Sequence, residues 1–223
     1  MQEIYEILEY IGSASEVFLF VFLCSLMFVR YDPIFTLLFD FALMKVVVMI
    51  FTNLIDYLEY WDLTLISFFQ NSYTILYFLI GTKIYKTLLI NQNVVRFGTI
   101  LFVAALSINC LFFDFRFVFF NYTVSVLNFI FTSYGIICLT TSQISLVSGE
   151  TNKYYWVNIA LLSYNLCLFS AMFFDHLIIS NSSKFIQEML WMVVLVSSII
   201  LNILLSIFIF EMKSVREVEI NKK

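Results

Sequence analysis

Asp40 and Lys45 stand five residues apart inside one continuous apolar run, residues 33–55. A charge at the centre of a bilayer costs at least about 2.5–3.5 kcal/mol on insertion scales, so ionisable residues in such runs have a purpose. On a helix, five residues separate side chains by about 140°, so these two do not share a face. Two uses fit them: a proton or ion path, or polar glue between helices or subunits, with Lys45 snorkelling or pairing with an acid on another helix. Glue is the expectation. The other reactive side chains are scattered. Cys24, Cys110, Cys138 and Cys167 lie in separate apolar runs, form no CxxC, and read as buried thiols. The one histidine, His176, follows Asp175 beyond an apolar run and reads as a solvated loop residue. With a single His, ligation of haem or copper by this polypeptide is not expected. There is no GxSxG, HExxH, GxGxxG or P-loop pattern, so no catalytic, cofactor-binding or metal-binding set is assigned.

The elements that must position Asp40 and Lys45 are membrane spans. The chain is 62% hydrophobic and 13% charged over 223 residues, far from the composition of a soluble domain. A hydrocarbon core about 30 Å thick takes roughly 20 apolar helical residues. Seven runs qualify: 12–29, 33–55, 63–82, 97–114, 118–147, 155–174 and 185–211. They are continuously apolar and lack the strict alternation of barrel strands, so the fold class is an all-α polytopic membrane protein. Gln70, Asn71, Asn109, Asn128, Asn165 and Asn202 lie within the runs and read as interhelical packing amides. Glu3, Glu6 and Glu9 begin an amphipathic lead-in without the basic start of a signal peptide.

Orientation follows from Lys and Arg. With the N-terminus outside, Arg30, Lys83, Lys86, Arg96, Lys153, Lys213, Arg216, Lys222 and Lys223 fall inside, and Arg116 and Lys184 fall outside. That is a clear positive-inside bias for seven spans, N-out and C-in. Lys83, Lys86 and Arg96 then sit at the inner headgroup level, as candidate holders of lipid phosphate or as ordinary anchors. The formal charge of −4 excludes an electrostatic nucleic-acid binder. Composition also bears on the gene: Phe, Tyr, Met, Ile, Asn and Lys make up 96 residues against 16 for Gly, Ala, Arg and Pro. That skew suits a very A/T-rich genome such as an organelle's.

Val95-Arg96-Phe97-Gly98-Thr99-Ile100-Leu101-Phe102-Val103 resembles the segment that opens the third helix of cytochrome c oxidase subunit 3. In order along the chain, Asp32-Pro33 is similar to the family's opening of its first helix. Leu127-Asn128, then Ile144-Ser145-Leu146, Gly149, Glu150 and Asn152, are similar to its next helix and turn. Leu161 to Ala171, with Tyr164, resembles its fifth helix. The resemblance covers residues 31–213, leaving 1–30 as an extension with an extra span and 214–223 as a short polar tail. It implies a non-catalytic subunit of mitochondrial complex IV in the inner membrane, packed on subunits 1 and 2 and other respiratory subunits. Haem and copper would lie in those partners. It also implies bound phospholipid in a cleft between spans 2–3 and spans 4–7. The family's membrane-embedded Glu aligns with Leu106, so its proton-related role does not carry over. The family's paired His are replaced around Ser197, Ser198 and Leu201, and its last helix has no counterpart, a space for a partner to fill. A seven-helix receptor or sensor and a small transporter are the alternatives.

Overall fold

In a computed structural model the described residues form helices and no strand. The structure describes residues 2–27, 33–57, 63–89, 91–112, 122–146, 154–178 and 184–220. The seven helices are α1 (Gln2–Met27), α2 (Pro33–Tyr57), α3 (Leu63–Leu88), α4 (Gln92–Phe112), α5 (Tyr122–Leu146), α6 (Tyr155–Ile178) and α7 (Lys184–Ile220). Each overlaps one of the apolar runs. Helices satisfy every backbone polar group internally, which apolar surroundings demand. Local signals set several ends. Pro33, the only proline, occupies the first position of α2, where its missing N–H costs nothing. The turn from α3 to α4 is only three residues. The Asn91 side-chain oxygen accepts from the Asn93 backbone N–H at 3.0 Å, capping α4, and the Gln92 amide donates to the Lys86 and Leu89 carbonyls at 3.0 and 3.2 Å, closing α3.

Among the described residues, five helices contain stretches long and apolar enough to cross a membrane: Glu3–Ser25, Pro33–Ile55, Thr123–Thr141, Tyr155–Met172 and Glu188–Phe210. α3 carries Gln70, Asn71, Ser72 and Thr74 with Lys83 and Lys86, and α4 opens on Gln92, Asn93 and Arg96. The acidic lead-in is continuous with the first span, because nothing between Glu3 and Gly12 breaks the helix. At the other end, helix α7 runs on through most of the 214–223 tail, to Ile220. His176 belongs to the last turn of α6, which corrects its assignment to a loop: the helix outlasts the apolar run by one turn. Arg30, Asp32, Trp61, Arg116, Gly149, Glu150, Asn152, Lys153, Lys222 and Lys223 lie outside the described residues.

The helices close on themselves. α1 packs between α7 and α2, α2 on α3, α3 on α4 and α5, α4 on α5, and α5, α6 and α7 pack in sequence. The interior is aromatic. Phe78 stacks on Phe102 at 3.8 Å between ring centroids, Tyr77 meets Phe131 at 5.5 Å, and Tyr85 meets Tyr134 edge-on at 5.3 Å. The two edge contacts add to the stabilisation from burial alone. They lie along the seam between α2–α3 and α4–α7, where the resemblance implies a lipid-filled splay; in this chain rings occupy that seam, and α1 bridges α2 to α7.

Gly98 explains how α4 and α5 come together. A Cβ at this position would lie 2.7 Å from Cζ of Tyr134 and 2.9 Å from Cγ2 of Ile130. The missing side chain lets the Tyr134 ring lie against α4, where its hydroxyl donates to the Val95 carbonyl at 3.0 Å. The Val95–Gly98 motif is thus a seat for a tyrosine, while Arg96 and Phe97 point away from the bundle and are exposed.

Candidate functional site

Lys45 is buried, at 6% exposure, because α2 turns it toward α1 and α7. Its Nζ lies 2.8 Å from Oε1 of Glu16 on α1, and it donates to Oγ of Ser198 on α7 at 2.9 Å. Ser198 in turn donates to the same Glu16 oxygen at 3.5 Å. The ammonium also faces the rings of Tyr164 and Phe41, at 5.7 and 5.9 Å. Three helices therefore meet at one charge pair. A neighbouring bond ties α7 to α1 again, the Asn202 amide donating to Ser15 Oγ at 2.8 Å.

A second polar pair adjoins the first. Tyr73 on α3 and Tyr164 on α6 share a hydrogen bond. Tyr77 donates to Oδ1 of Asn165 at 2.9 Å, and the Asn165 amide donates to the Leu161 carbonyl at 2.6 Å. The Tyr77 and Tyr164 rings are 6.5 Å apart, edge to face. The polar interior thus joins α1, α2, α3, α6 and α7.

Depth gives the cluster its meaning. Glu16, Lys45, Tyr164 and Ser198 each lie within two residues of the centre of their own apolar stretch. Ionised groups there are tolerated only when paired and hydrogen-bonded. Chemically, an acid and an amine 2.8 Å apart hold one proton between them, and the pair stays neutral overall whichever group carries it. Among the described residues no three His, Cys, Asp or Glu side chains come together as metal ligands. Of the thiols, Cys138 is buried and Cys24 and Cys167 half-buried, all free.

Asp40 does not join this cluster. It is exposed on the opposite side of α2 and makes no ion pair or hydrogen bond with any described residue. The separation read from helical geometry is thus the actual one, and it sends the two charges to different environments. Lys83, Lys86 and Arg96 are exposed and share one end of the bundle, set there by the short α3–α4 turn. Leu106 is half-buried and packs on the core. Sequence reasoning missed Glu16. Its signal was available: an acid within the first apolar run, at a depth matching the only Lys inside a run. Tyr73, Tyr77 and Tyr164 gave no signal, because thirteen tyrosines stand in the sequence and nothing in their spacing marks these three.

Between α1 and α7 the surface opens into a groove of about 390 Å³, lined by Phe18, Phe22, Ile203, Ile207 and Phe210, with Ser15 and Asn202 at its polar point. It is apolar and open to the side.

Comparison with protein-family models, with curated proteins and with solved structures finds no match to this chain.

Proposed function

We propose that the chain is a non-catalytic, phospholipid-binding subunit of a mitochondrial cytochrome c oxidase, crossing the inner membrane seven times with its N-terminus outside. What carries the reading is the ordered likeness to subunit 3, whose segments fall in turn at the openings of α2 and α4 and along α5 and α6. The Arg96–Val103 stretch supports it further, since its glycine has a packing reason in this chain. In this reading the haem and copper belong to subunits 1 and 2, and this chain contributes surface and lipid. The α1–α7 groove suits an acyl chain by its lining, and Lys83, Lys86 and Arg96 suit phosphates at the inner surface. The α2–α3 helices and the α4–α7 helices meet through rings, so lipid is assigned to the periphery of the bundle. The test is purification of the tagged full chain from its own membranes in mild detergent, with an absorption spectrum of the eluate. Haem bands co-eluting in fixed proportion support the reading; a chain that elutes without haem refutes it.

One observation favours a second reading. A Lys–Glu pair at mid-depth beside three tyrosines is an arrangement that transporters use to hold a proton or substrate. Purified chain in proteoliposomes separates the two: proton flux abolished by Glu16→Gln supports transport, and tight vesicles support the subunit reading.

A further inference from the structure

The structure separates the two intramembrane charges of α2 by where they are answered. Lys45 is answered inside the chain by Glu16 and Ser198. Asp40 is answered by nothing among the described residues. Yet Asp40 lies seven residues into the apolar stretch Pro33–Ile55, about 10 Å along the helix at 1.5 Å per residue. An aspartate stem has a single methylene. It cannot climb that distance to the headgroups as a lysine would. The carboxylate therefore stays in the apolar layer, on the outside of the bundle.

The residues around it form a continuous surface. Thr36, Asp40, Leu43, Val47, Ile50, Phe51 and Leu54 are exposed. At about 100° per residue they fall within a stripe about 100° wide, and Lys45 lies about 180° from its centre. Such spacing, three or four residues apart through five turns, is that of a seam against another helix. The stripe is apolar except for Thr36 and Asp40 near its N-terminal end.

We propose that this stripe docks a membrane-spanning helix of a different polypeptide, one that presents a Lys or Arg at the depth of Asp40. Charge decides the occupant. Lipid chains leave the carboxylate unanswered. A second copy in the same orientation brings its own Asp40 to the same depth, so that two carboxylates face each other. Nor, among the side chains the structure describes, has a second copy a cation to offer there: the exposed Lys83, Lys86 and Arg96 sit toward the ends of α3 and α4, and Lys45 is taken. A foreign basic side chain is the group that satisfies Asp40 with one contact. The inference rests on α2 crossing a membrane within a multi-subunit assembly, and it does not depend on that assembly containing haem.

The test is site-specific photo-cross-linking in native membranes with the full chain. A benzophenone side chain is placed at Leu43 or Val47 on the stripe, and at Ile100 on the exposed face of α4 as a control. The expected result is one cross-linked polypeptide from the stripe and none of it from Ile100. Peptide mapping then places the adduct in an apolar segment containing Lys or Arg. Asp40→Asn lowers that adduct by roughly tenfold, and Asp40→Glu retains it. An aspartate-to-basic swap, Asp40→Lys, regains it when the partner's basic residue is changed to Asp. Membrane abundance of each variant confirms that the chain still inserts. Adducts only to lipid, adducts to a second copy of this chain, a partner segment without Lys or Arg, or yields indifferent to Asp40→Asn each overturn the proposal. The partner's complex then reads the two proposals apart. A basic partner in a haem-free complex keeps this inference and removes the oxidase reading. Lipid-only adducts in a haem-containing complex do the reverse.

Discussion

Removing the ammonium of Lys45 tests the central geometry most directly. At 2.8 Å the gross attraction between Lys45 and Glu16 is about 6 kcal/mol with an effective dielectric near 20. Desolvating each ion costs several kcal/mol, so most of that attraction is cancelled, and the intact pair contributes little to net stability. The asymmetry appears when one member goes. Lys45→Met leaves the Glu16 carboxylate, 18% exposed at mid-depth, with only Ser198 as a donor among the described residues. The expected loss is about 3–5 kcal/mol of unfolding free energy, the cost of stranding a buried charge. Glu16→Leu strands Lys45 in the same way, with a comparable loss. The double variant strands nothing. Its loss is expected to be below about 2 kcal/mol, so the two changes are coupled by roughly 4 kcal/mol or more. The assay is equilibrium unfolding of the purified chain by added denaturing detergent, followed by helical circular dichroism and tryptophan fluorescence. If the two single losses add in the double variant, Lys45 and Glu16 are not partners, and the convergence of α1, α2 and α7 described here is wrong.

Two further predictions address the packing and the surface. Gly98→Ala forces a Cβ against Tyr134 and Ile130 and displaces the tyrosine from the Val95 carbonyl. It is expected to cost about 1–3 kcal/mol in the same unfolding assay, with Tyr134→Phe restoring part of it by removing the nearest atom. Lys83→Gln with Lys86→Gln removes two exposed cations from one end of the bundle. Anionic phospholipid retained through purification, counted by mass spectrometry, is expected to fall severalfold with helical content unchanged; unchanged lipid assigns these residues to simple anchoring.

The amino-acid sequence alone settled what kind of solvent this protein lives in. Continuous apolar runs leave helices as the only way to satisfy the backbone, and that argument is local, so each of the seven helices could be placed from its own residues. The helix period fixed that Asp40 and Lys45 look in different directions, because angle along a helix depends on nothing else. It did not say which of them looks inward. That depends on which faces of α1 and α7 lie beside α2, a matter of packing between residues up to 182 positions apart. The partnership of Glu16 with Lys45, the Tyr73–Tyr164 and Tyr77–Asn165 pairs, and the seat for Tyr134 on Gly98 belong to the same class. In each, one residue's meaning is set by another far along the chain; Glu16 and Lys45 are marked locally as charges within apolar runs, but nothing local says that they pair. Helix ends fell between, since caps such as Asn91 are local but fray with the turns they close. Tertiary structure decided which charge is paired within the chain and which faces outward, because in an apolar medium every buried charge must find its partner in space.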